Sequence, residues 1–411
     1  MEKNILSRNH MIIVFFAFAC GYFLSTLLRA ITATLSPVLI EEFSLNAANL
    51  GLLSGGYFFG FAVMQLPLGY MLDKFGTKKI VSIFLLVAVL GILVFMFAKN
   101  FTNLLFARFL IGIGFSACLM GPLTGYRMWM SDEYQQRANS WMLMVGSIGL
   151  LSSTLPIQLL LPLYGWRSIF GGLAVLATLC IVLIFIISPK WPSQTNKNKT
   201  DLVTNNSLSQ VWKNKYFQSL IPFGIFNCGG LYAIQTLWAG PWLVNVSGYT
   251  PLQSATGLFW INFVMLLAFL LWGYINPKLL KLGYTTNKLV VYLTPISFLI
   301  LLKIIIFAEN TSYVDWVVFI LSCIVLTLVQ PAVGLAFSIK LAGKALTSFN
   351  FIVFVGIFIV QWMIGILIDF VMSRGYPLIF AYQFAFSVFL IICIVSYLYF
   401  LKLNLSKINE I

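Results

Sequence analysis

Arg29 lies inside the first long apolar stretch of the sequence, between Met11 and Leu35. A charge placed in membrane hydrocarbon costs at least about 2.5 kcal/mol, so such a residue usually has a function. The nine acidic residues outside the two tails lie in loops or near the ends of apolar stretches, so none is in mid-span to pair with it. Because a planar guanidinium matches a carboxylate or phosphate, we interpret Arg29 as a binding group for an anionic ligand. The alternative is that its long side chain extends to the outer membrane interface.

Other apolar stretches contain polar and aromatic residues that would complete such a site. They are Tyr57, Gln65, Tyr232, Gln235, Trp238, Asn350, Gln361 and Trp362. In the stretch that contains Trp238, Gly240-Pro241 follows that residue, and we expect a broken helix there that exposes backbone groups. Each of these residues taken alone is more often an interhelical hydrogen-bonding group or an interfacial aromatic.

The elements that position these residues must cross a membrane. With 60% apolar residues, 9% charged residues and a mean hydropathy of +0.96, the chain lacks the polar surface of a soluble domain. A span needs about 20 apolar residues. Twelve such stretches occur, roughly at 12–37, 48–72, 78–98, 101–126, 139–163, 168–188, 217–246, 251–275, 288–307, 313–338, 346–371 and 376–402. The sequence therefore predicts an all-α membrane protein with twelve transmembrane helices.

The net charge of +14 is distributed unevenly between the two sides of these spans. If the N-terminus is inside, nineteen Lys and Arg residues fall on the cytoplasmic side and only Lys99, Arg167 and Arg374 fall outside. The positive-inside rule then places both termini in the cytoplasm, and the charge indicates a lipid bilayer and not a nucleic acid as partner. The six cysteines lie in apolar stretches without metal-ligand spacing, so we expect no metal and no cofactor.

The spans fall into two groups of six. A Lys-, Asn- and Ser-rich segment separates them, which predicts an N-terminal half at 1–188, a cytoplasmic linker at 189–216 and a C-terminal half at 217–411. The halves share a faint repeat, Gly69-Tyr-Met-Leu-Asp73 after the second span and Gly273-Tyr-Ile-Asn276 after the eighth. Paired six-helix halves are typical of secondary transporters.

The loop after the second span reads Gly69-x-x-x-Asp73-Lys74-x-Gly76-x-Lys78-Lys79. In a twelve-span chain, this pattern resembles the signature loop of the major facilitator superfamily, and the resemblance covers essentially the whole chain. It implies a cytoplasmic charge relay in which the aspartate and the basic residues control closure. Glycine permits the tight turn, and Asp73 is suited to cap a helix N-terminus.

Two further motifs of the family have counterparts here. Arg108-x-x-x-Gly112-x-Gly114 in the fourth span is similar to the family's Arg-Gly-Gly motif, which implies a role in coupling; the alternative is that Arg108 extends outward while the glycines pack helices. The fifth span lacks the Gly-Pro pair of the antiporter motif, which argues against drug efflux. Arg29 is placed like the span-one arginine of the family's organic-anion symporters.

The resemblance implies a monomeric secondary transporter that moves a small organic anion across a bacterial inner membrane by alternating access, linked to protons. The residues themselves leave more than one route for coupling transport to protons. His10 lies in the tail, and Asp369 is the nearest carboxylate to a cavity; the alternative is that Asp369 is only a helix-end carboxylate in water. The proton would then travel on the substrate, or the protein would be an exchanger or uniporter.

Other functions remain compatible with the sequence. Within transport, these are export of an amphiphile and import of a polycarboxylate iron chelate (a siderophore). A membrane sensor that binds a ligand without moving it is the alternative from another class, although the two similar halves and the signature loop argue against it. We expect no enzyme, because no nucleophile–base pair or metal-spaced cluster occurs, and no nucleotide-binding loop that would indicate ATP drive.

Overall fold

The computed structural model describes residues 6–189, 205–282 and 285–409, and all regular structure in these ranges is helical. Long apolar stretches form helices here because a chain in hydrocarbon must satisfy its backbone hydrogen bonds internally. The α-helices are α1 Arg8–Phe43, α2 Ala47–Phe75, α3 Thr77–Met96, α4 Phe101–Phe115, α5 Ala117–Trp129, α6 Asp132–Ser152, α7 Leu155–Ile187, α8 Asn205–Lys213, α9 Lys215–Phe223, α10 Gly229–Ala233, α11 Ala239–Asn245, α12 Pro251–Lys281, α13 Thr286–Phe307, α14 Tyr313–Ser322, α15 Val329–Ala336, α16 Ile339–Met372 and α17 Leu378–Asn409.

The twelve predicted spans are confirmed. Eleven helical segments of the described residues are long and apolar enough to cross a membrane, with α4 and α5 together forming one of them. The twelfth span comes from a break inside α7, where Gly165 has a φ of 70°. Residues before Gly165 continue the fifth span begun by α6, and residues after it form the sixth.

The seventh span is irregular in a different way from the one predicted. The chain remains helical through Gly240-Pro241, which lies in α11, so the predicted break there is wrong. Two π-helical turns, Gly224–Cys228 and Ile234–Trp238, interrupt the span instead. Proline cannot donate the hydrogen bond to the residue four positions earlier, so the second turn lies where Pro241 weakens the ladder.

The helices form two compact units. Unit 1 contains residues 1–35 and 56–198, and unit 2 contains residues 36–55 and 199–411. Unit 2 therefore includes the hairpin formed by the end of α1 and the start of α2, which the division at 189–216 had placed in the first half. Of the predicted linker, 190–204 lies outside the described residues, and Asn205–Lys213 forms α8.

Glycine lets helix backbones touch within each unit. In unit 1, a Cβ at Gly112 on α4 would collide with the carbonyl oxygen of Tyr57 on α2. In unit 2, a Cβ at Gly356 on α16 would lie 2.5 Å from the carbonyl oxygen of Ile225 in the first π turn. Because lipid provides no hydrophobic driving force between helices, helix association relies on close van der Waals packing, which small residues at such crossings allow. This contact of α2 with α4 places Tyr57 beside Arg108.

Candidate functional site

Tyr57 is at the centre of a polar cluster in unit 1. Its side chain is fully buried, and its hydroxyl donates to the backbone oxygen of Ser25 on α1 at 3.0 Å. The Ser25 Oγ lies 3.1 Å from the same hydroxyl. A buried tyrosine needs such a partner, and here the bond fixes the ring between α1 and α4.

Arg108 lies against that ring. Its side chain has no exposed surface, and its guanidinium carbon is 5.3 Å from the Tyr57 ring centroid. Nη1 donates to the Leu28 carbonyl oxygen at 2.7 Å, whereas Nε and Nη2 have no hydrogen-bond partner among the described residues. The alternative that Arg108 extends outward is therefore wrong: the guanidinium points into unit 1.

Arg29 approaches the same surface of α2 from α1. Its guanidinium carbon is 5.6 Å from the ring centroid of Phe61, which stacks on Tyr57 at 6.1 Å. Phe61 lies near the middle of α2, so the Arg29 side chain is directed across to that helix and does not leave along its own. Cation–π contact with Phe61 helps to hold it there.

The side chains of this cluster share a simple helical spacing. Tyr57, Phe61 and Gln65 recur every four residues on α2 and so lie on one face, and Gln65 is 3% exposed. We call Arg29, Tyr57, Phe61, Gln65 and Arg108 the arginine cluster.

The arginine cluster is electropositive. Asp73 and Glu133, described acidic residues of unit 1, are exposed near helix ends, away from the centre of α2. The low dielectric of the surroundings strengthens the field of the two guanidinium groups. The arrangement is thus suited to attract an anion, while the binding roles of Arg29, Tyr57 and Gln65 stay predictions.

Unit 2 brings its predicted residues together as hydrogen-bonded neighbours. Gln235 donates from Nε2 to Asn262 Oδ1 at 2.8 Å and to Met265 Sδ at 3.0 Å. Trp238 donates from Nε1 to the Gln361 carbonyl oxygen at 3.1 Å, and Gln361 Nε2 donates to Thr236 Oγ1 at 3.1 Å. These bonds join the seventh span to α12 and to α16.

We call Gln235, Thr236, Trp238, Asn262 and Gln361 the amide network. All five side chains are buried. Gln235 Oε1 and Gln361 Oε1 have no hydrogen-bond partner among the described residues, so acceptors remain while the amide donors are used. The network carries no formal charge, in contrast to the arginine cluster.

The other predicted residues of unit 2 are less buried than the side chains of the amide network. Tyr232 and Asn350 are half-buried, and Trp362 is 38% exposed. Trp362 follows Gln361 directly, and successive residues of a helix point in different directions. Their roles in substrate binding stay predictions.

The signature loop forms a tight turn between α2 and α3. Gly76 has a φ of 82°, a conformation that favours glycine, and its N–H bonds to the Leu72 oxygen at 2.9 Å. No side chain caps the N-terminus of α3, and Asp73 is exposed. Thr77 anchors the turn because its Oγ1 donates to the Gly121 carbonyl oxygen at 3.1 Å.

The remaining loop residues point outward or lie over aromatic rings. Gly69 is exposed and has no atom within 4 Å of the position of a Cβ. Lys74 and Lys79 lie 5.1 and 5.6 Å from the Phe75 ring centroid, and Lys78 lies 4.8 Å from that of Phe185. The role of the loop in gating stays a prediction.

Asp369, near the end of α16, caps the hairpin within unit 2. Its Oδ1 accepts from the Ala47 N–H at 3.0 Å, and its Oδ2 accepts from the Ala48 N–H at 2.7 Å. The alternative that this carboxylate only meets water is therefore wrong. It stabilises the positive N-terminal end of α2, and Gly365 lets the backbones approach, since a Cβ there would collide with the Ala47 oxygen.

Sequence reasoning missed Phe61, Thr236 and Asn262 as members of these clusters, and it missed Ser25 as the hydrogen-bond partner of Tyr57. Ser25 precedes Arg29 by four residues, and Phe61 lies midway between Tyr57 and Gln65, so helical spacing was a usable signal for both. Asn262 is a polar residue in the apolar stretch 251–275, which is itself a signal for an interhelical bond. In the ranges that the structure describes, no group of three or more His, Cys, Asp or Glu residues is placed to hold a metal.

Known proteins resemble this chain in sequence and in fold. The chain matches the family model described as Major Facilitator Superfamily over residues 18–361. It is 26% identical over 192 residues to "Probable sulfoacetate transporter SauU" of Cupriavidus necator, covering 46% of this chain and 44% of the relative. It is 25% identical over 183 residues to "4-hydroxybenzoate transporter PcaK" of Acinetobacter baylyi, covering 44% of this chain and 40% of that relative. The chain thus matches less than half the length of each relative.

The fold has a close match among solved structures. A bacterial homolog to the human lysosomal transporter Spinster superposes with a TM-score of 0.78 at 16% identity, covering 98% of this chain and 99% of that one. At this identity the likeness concerns the fold alone. The two relatives above are named as transporters, and the solved structure as a homolog of one. Because the family model covers most of the chain and the twelve-helix fold agrees with it, this protein belongs to the Major Facilitator Superfamily.

Proposed function

We propose that this protein is a secondary active carrier of a small organic anion and that the arginine cluster binds the anionic group. The observation that carries the proposal is Arg108, fully buried with two guanidinium nitrogens that lack hydrogen-bond partners among the described residues. A buried charge with unsatisfied donors is costly, and a carboxylate or sulfonate would supply both acceptors and counter-charge.

Arg29 gives the site its second guanidinium. The two arginines approach α2 at neighbouring turns, with Arg108 beside Tyr57 and Arg29 beside Phe61. Two planar forks at that spacing suit an anion with two or three oxygens better than a neutral sugar or a cation. The substrates named for the two relatives above, sulfoacetate and 4-hydroxybenzoate, are small organic anions, and this supports the same substrate class here.

We propose that transport is proton-linked and that Asp369 is the coupled group. An ionised carboxylate accepts both amide bonds at the start of α2, whereas a protonated one accepts less strongly and places no charge at the helix end. Protonation would therefore weaken the link between α16 and the hairpin at 36–55. An element whose contacts depend on a proton is what a symporter requires for a change of access.

The distribution of basic residues supports an orientation in the inner membrane of a bacterium with both chain ends in the cytoplasm. The signature loop then lies on the cytoplasmic face, where we propose that Asp73 and Lys74 take part in closure. Asp73→Asn should slow turnover much more than it weakens equilibrium binding, which binding and uptake measurements on the same preparation will distinguish.

Counterflow in proteoliposomes tests the substrate class directly. Vesicles loaded with each of a panel of small carboxylates and sulfonates are offered the same labelled compound, beside the matched neutral amides and alcohols. We expect exchange for at least one anion and none for its neutral counterpart. Exchange that is equal for both members of a pair would contradict an anion site.

A further inference from the structure

A groove opens in unit 1 between the first turns of α1 and α6, with a volume of about 230 Å³. Residues from both helices and from the end of α5 form its walls. They are Arg8, Met11, Ile12, Phe15 and Phe16 on α1, Met130 after α5, and Tyr134, Arg137, Ala138 and Trp141 on α6. None of the residues that line the groove belongs to the arginine cluster.

The floor of the groove is apolar and aromatic. The rings of Phe15 and Trp141 meet edge to face at 6.2 Å, which joins α1 to α6. Ile12, Phe16 and Trp141 are 46%, 61% and 56% exposed. On a helix that spans a membrane, such side chains face lipid, so an acyl chain is the natural material to cover them.

Arginines stand at the same end of the groove on both helices. Arg8 is the first residue of α1, and Arg137 lies in the second turn of α6. From Arg8 to Phe16 the helix rises by about 12 Å, which is enough for a headgroup followed by the first part of an acyl chain. Tyr134 and Trp141 are of the types that prefer the membrane interface.

Charge decides which lipid fits. Both charged residues that line the groove are cationic. Arg137 also pairs with Glu133 at 2.6 Å, but both side chains are about two thirds exposed, so the pair is weak and a phosphate can compete for the guanidinium. Glu133 is not part of the groove lining, and among the side chains that the structure describes no carboxylate lines it to receive the ammonium group of a zwitterionic lipid.

We propose that this groove is a binding site for an anionic phospholipid, with the phosphate diester at Arg8 and Arg137 and one acyl chain over Phe15, Phe16 and Trp141. Guanidinium forks bind phosphate in two-point geometry. Basic residues beside anionic headgroups strengthen lipid binding by about fivefold each. The site would hold α1 and α6 together at this end of unit 1, independently of what the protein transports.

Native mass spectrometry of the purified full-length protein, titrated with phosphatidylglycerol and with phosphatidylcholine of the same chains, tests the proposal. We expect the wild type to bind the anionic lipid at least fivefold more tightly. Arg8→Gln with Arg137→Gln should remove this preference. Arg127→Gln is the matched control, because Arg127 is an exposed arginine at the end of α5 that does not line the groove, and it should keep the preference.

A second variant tests the acyl part while both arginines remain. Ile12→Trp fills the groove at a position that is already 46% exposed, so we expect normal folding and a loss of tight phosphatidylglycerol binding. Phosphatidylglycerol with brominated acyl chains should quench the fluorescence of the wild type more than that of Trp141→Phe. Equal binding of the two lipids by the wild type, a preference that survives the double arginine substitution, or quenching that is the same with and without Trp141 would each overturn the site.

Discussion

The two units solve the same problem, polar side chains buried in a membrane protein, in opposite ways. The arginine cluster of unit 1 contains two positive charges, and Arg108 there uses one of its three guanidinium nitrogens in a hydrogen bond to the described residues. The amide network of unit 2 is neutral, and its amide and indole donors are bonded to neighbouring helices. Charge that is left under-bonded indicates a place for a ligand, whereas bonded amides indicate helix packing.

This difference changes the weight given to the predicted binding residues. Polar residues in the seventh and eleventh spans are as conspicuous in the sequence as Arg29 and Arg108. In the structure, however, an amide that already holds a neighbouring helix must break that bond before it can bind a substrate. We therefore expect substitutions in the arginine cluster to affect transport most and substitutions in the amide network to affect stability most.

The largest effect is expected for Arg29→Ala. Hydrogen bonds to a charged group contribute about 1.5–3 kcal/mol each, so loss of a two-point contact should reduce uptake by about 100-fold or more. Arg29→Lys keeps the charge but not the planar fork and should recover only a small part. Initial uptake rates at matched protein levels measure this, with Arg127→Ala as an exposed control. Normal uptake by Arg29→Ala would remove the anion site.

Arg108→Met is expected to have the next largest effect and to separate function from stability. Methionine keeps an unbranched apolar side chain beside Tyr57 and removes the buried charge. Replacement of a buried charge by an apolar group is often neutral or stabilising by about 1–4 kcal/mol. Uptake should fall by about tenfold or more while the thermal unfolding midpoint in detergent stays equal or rises. A lower midpoint would show that the bond to the Leu28 oxygen is structural.

The sequence predicted the twelve helices because hydropathy over 20 residues is a local property. It did not predict whether a polar residue faces a ligand or a neighbouring helix, because that depends on how helices are rotated against each other. Arg108 shows the limit: a long side chain near a polar edge can extend outward or inward, and only the packing of Gly112 on Tyr57 decides. Asp369 meets amides more than 300 positions away, which no spacing rule connects.

A smaller effect is expected for Asp369→Asn, which tests whether the capped hairpin of unit 2 is a moving part. The substitution removes a negative charge whose interaction with the N-terminus of α2 contributes about 1 kcal/mol. It also replaces one of the two carboxylate oxygens that accept hydrogen bonds from the backbone of α2. Hydrogen exchange in the segment 45–55 should become about fivefold faster. Glu309→Gln, an exposed acid of the same unit, should leave this exchange unchanged.

The same Asp369→Asn variant separates the two routes for the proton. If Asp369 is the coupled group, the variant should still exchange substrate between vesicles but lose accumulation driven by a pH gradient. Accumulation that persists with its pH profile intact would show that the proton travels on the substrate. If uptake by the wild type changed neither with pH nor on addition of proton ionophores, proton symport would be contradicted.

The smallest effect on transport is expected in the amide network, and a double-mutant cycle on Gln235 and Asn262 measures it. Bonds between transmembrane helices contribute about 0.6 kcal/mol on average and at most about 1.7. Gln235→Ala and Asn262→Ala should each lower the unfolding free energy by amounts in that range, and the double variant should lose less than the sum because both single variants remove the same bond. Substrate affinity should change less than threefold in all three proteins. Additive losses of stability together with a tenfold loss of affinity in Gln235→Ala alone would mean that Gln235 binds the substrate, and the contrast between a charged binding unit and a neutral packing unit would then fail.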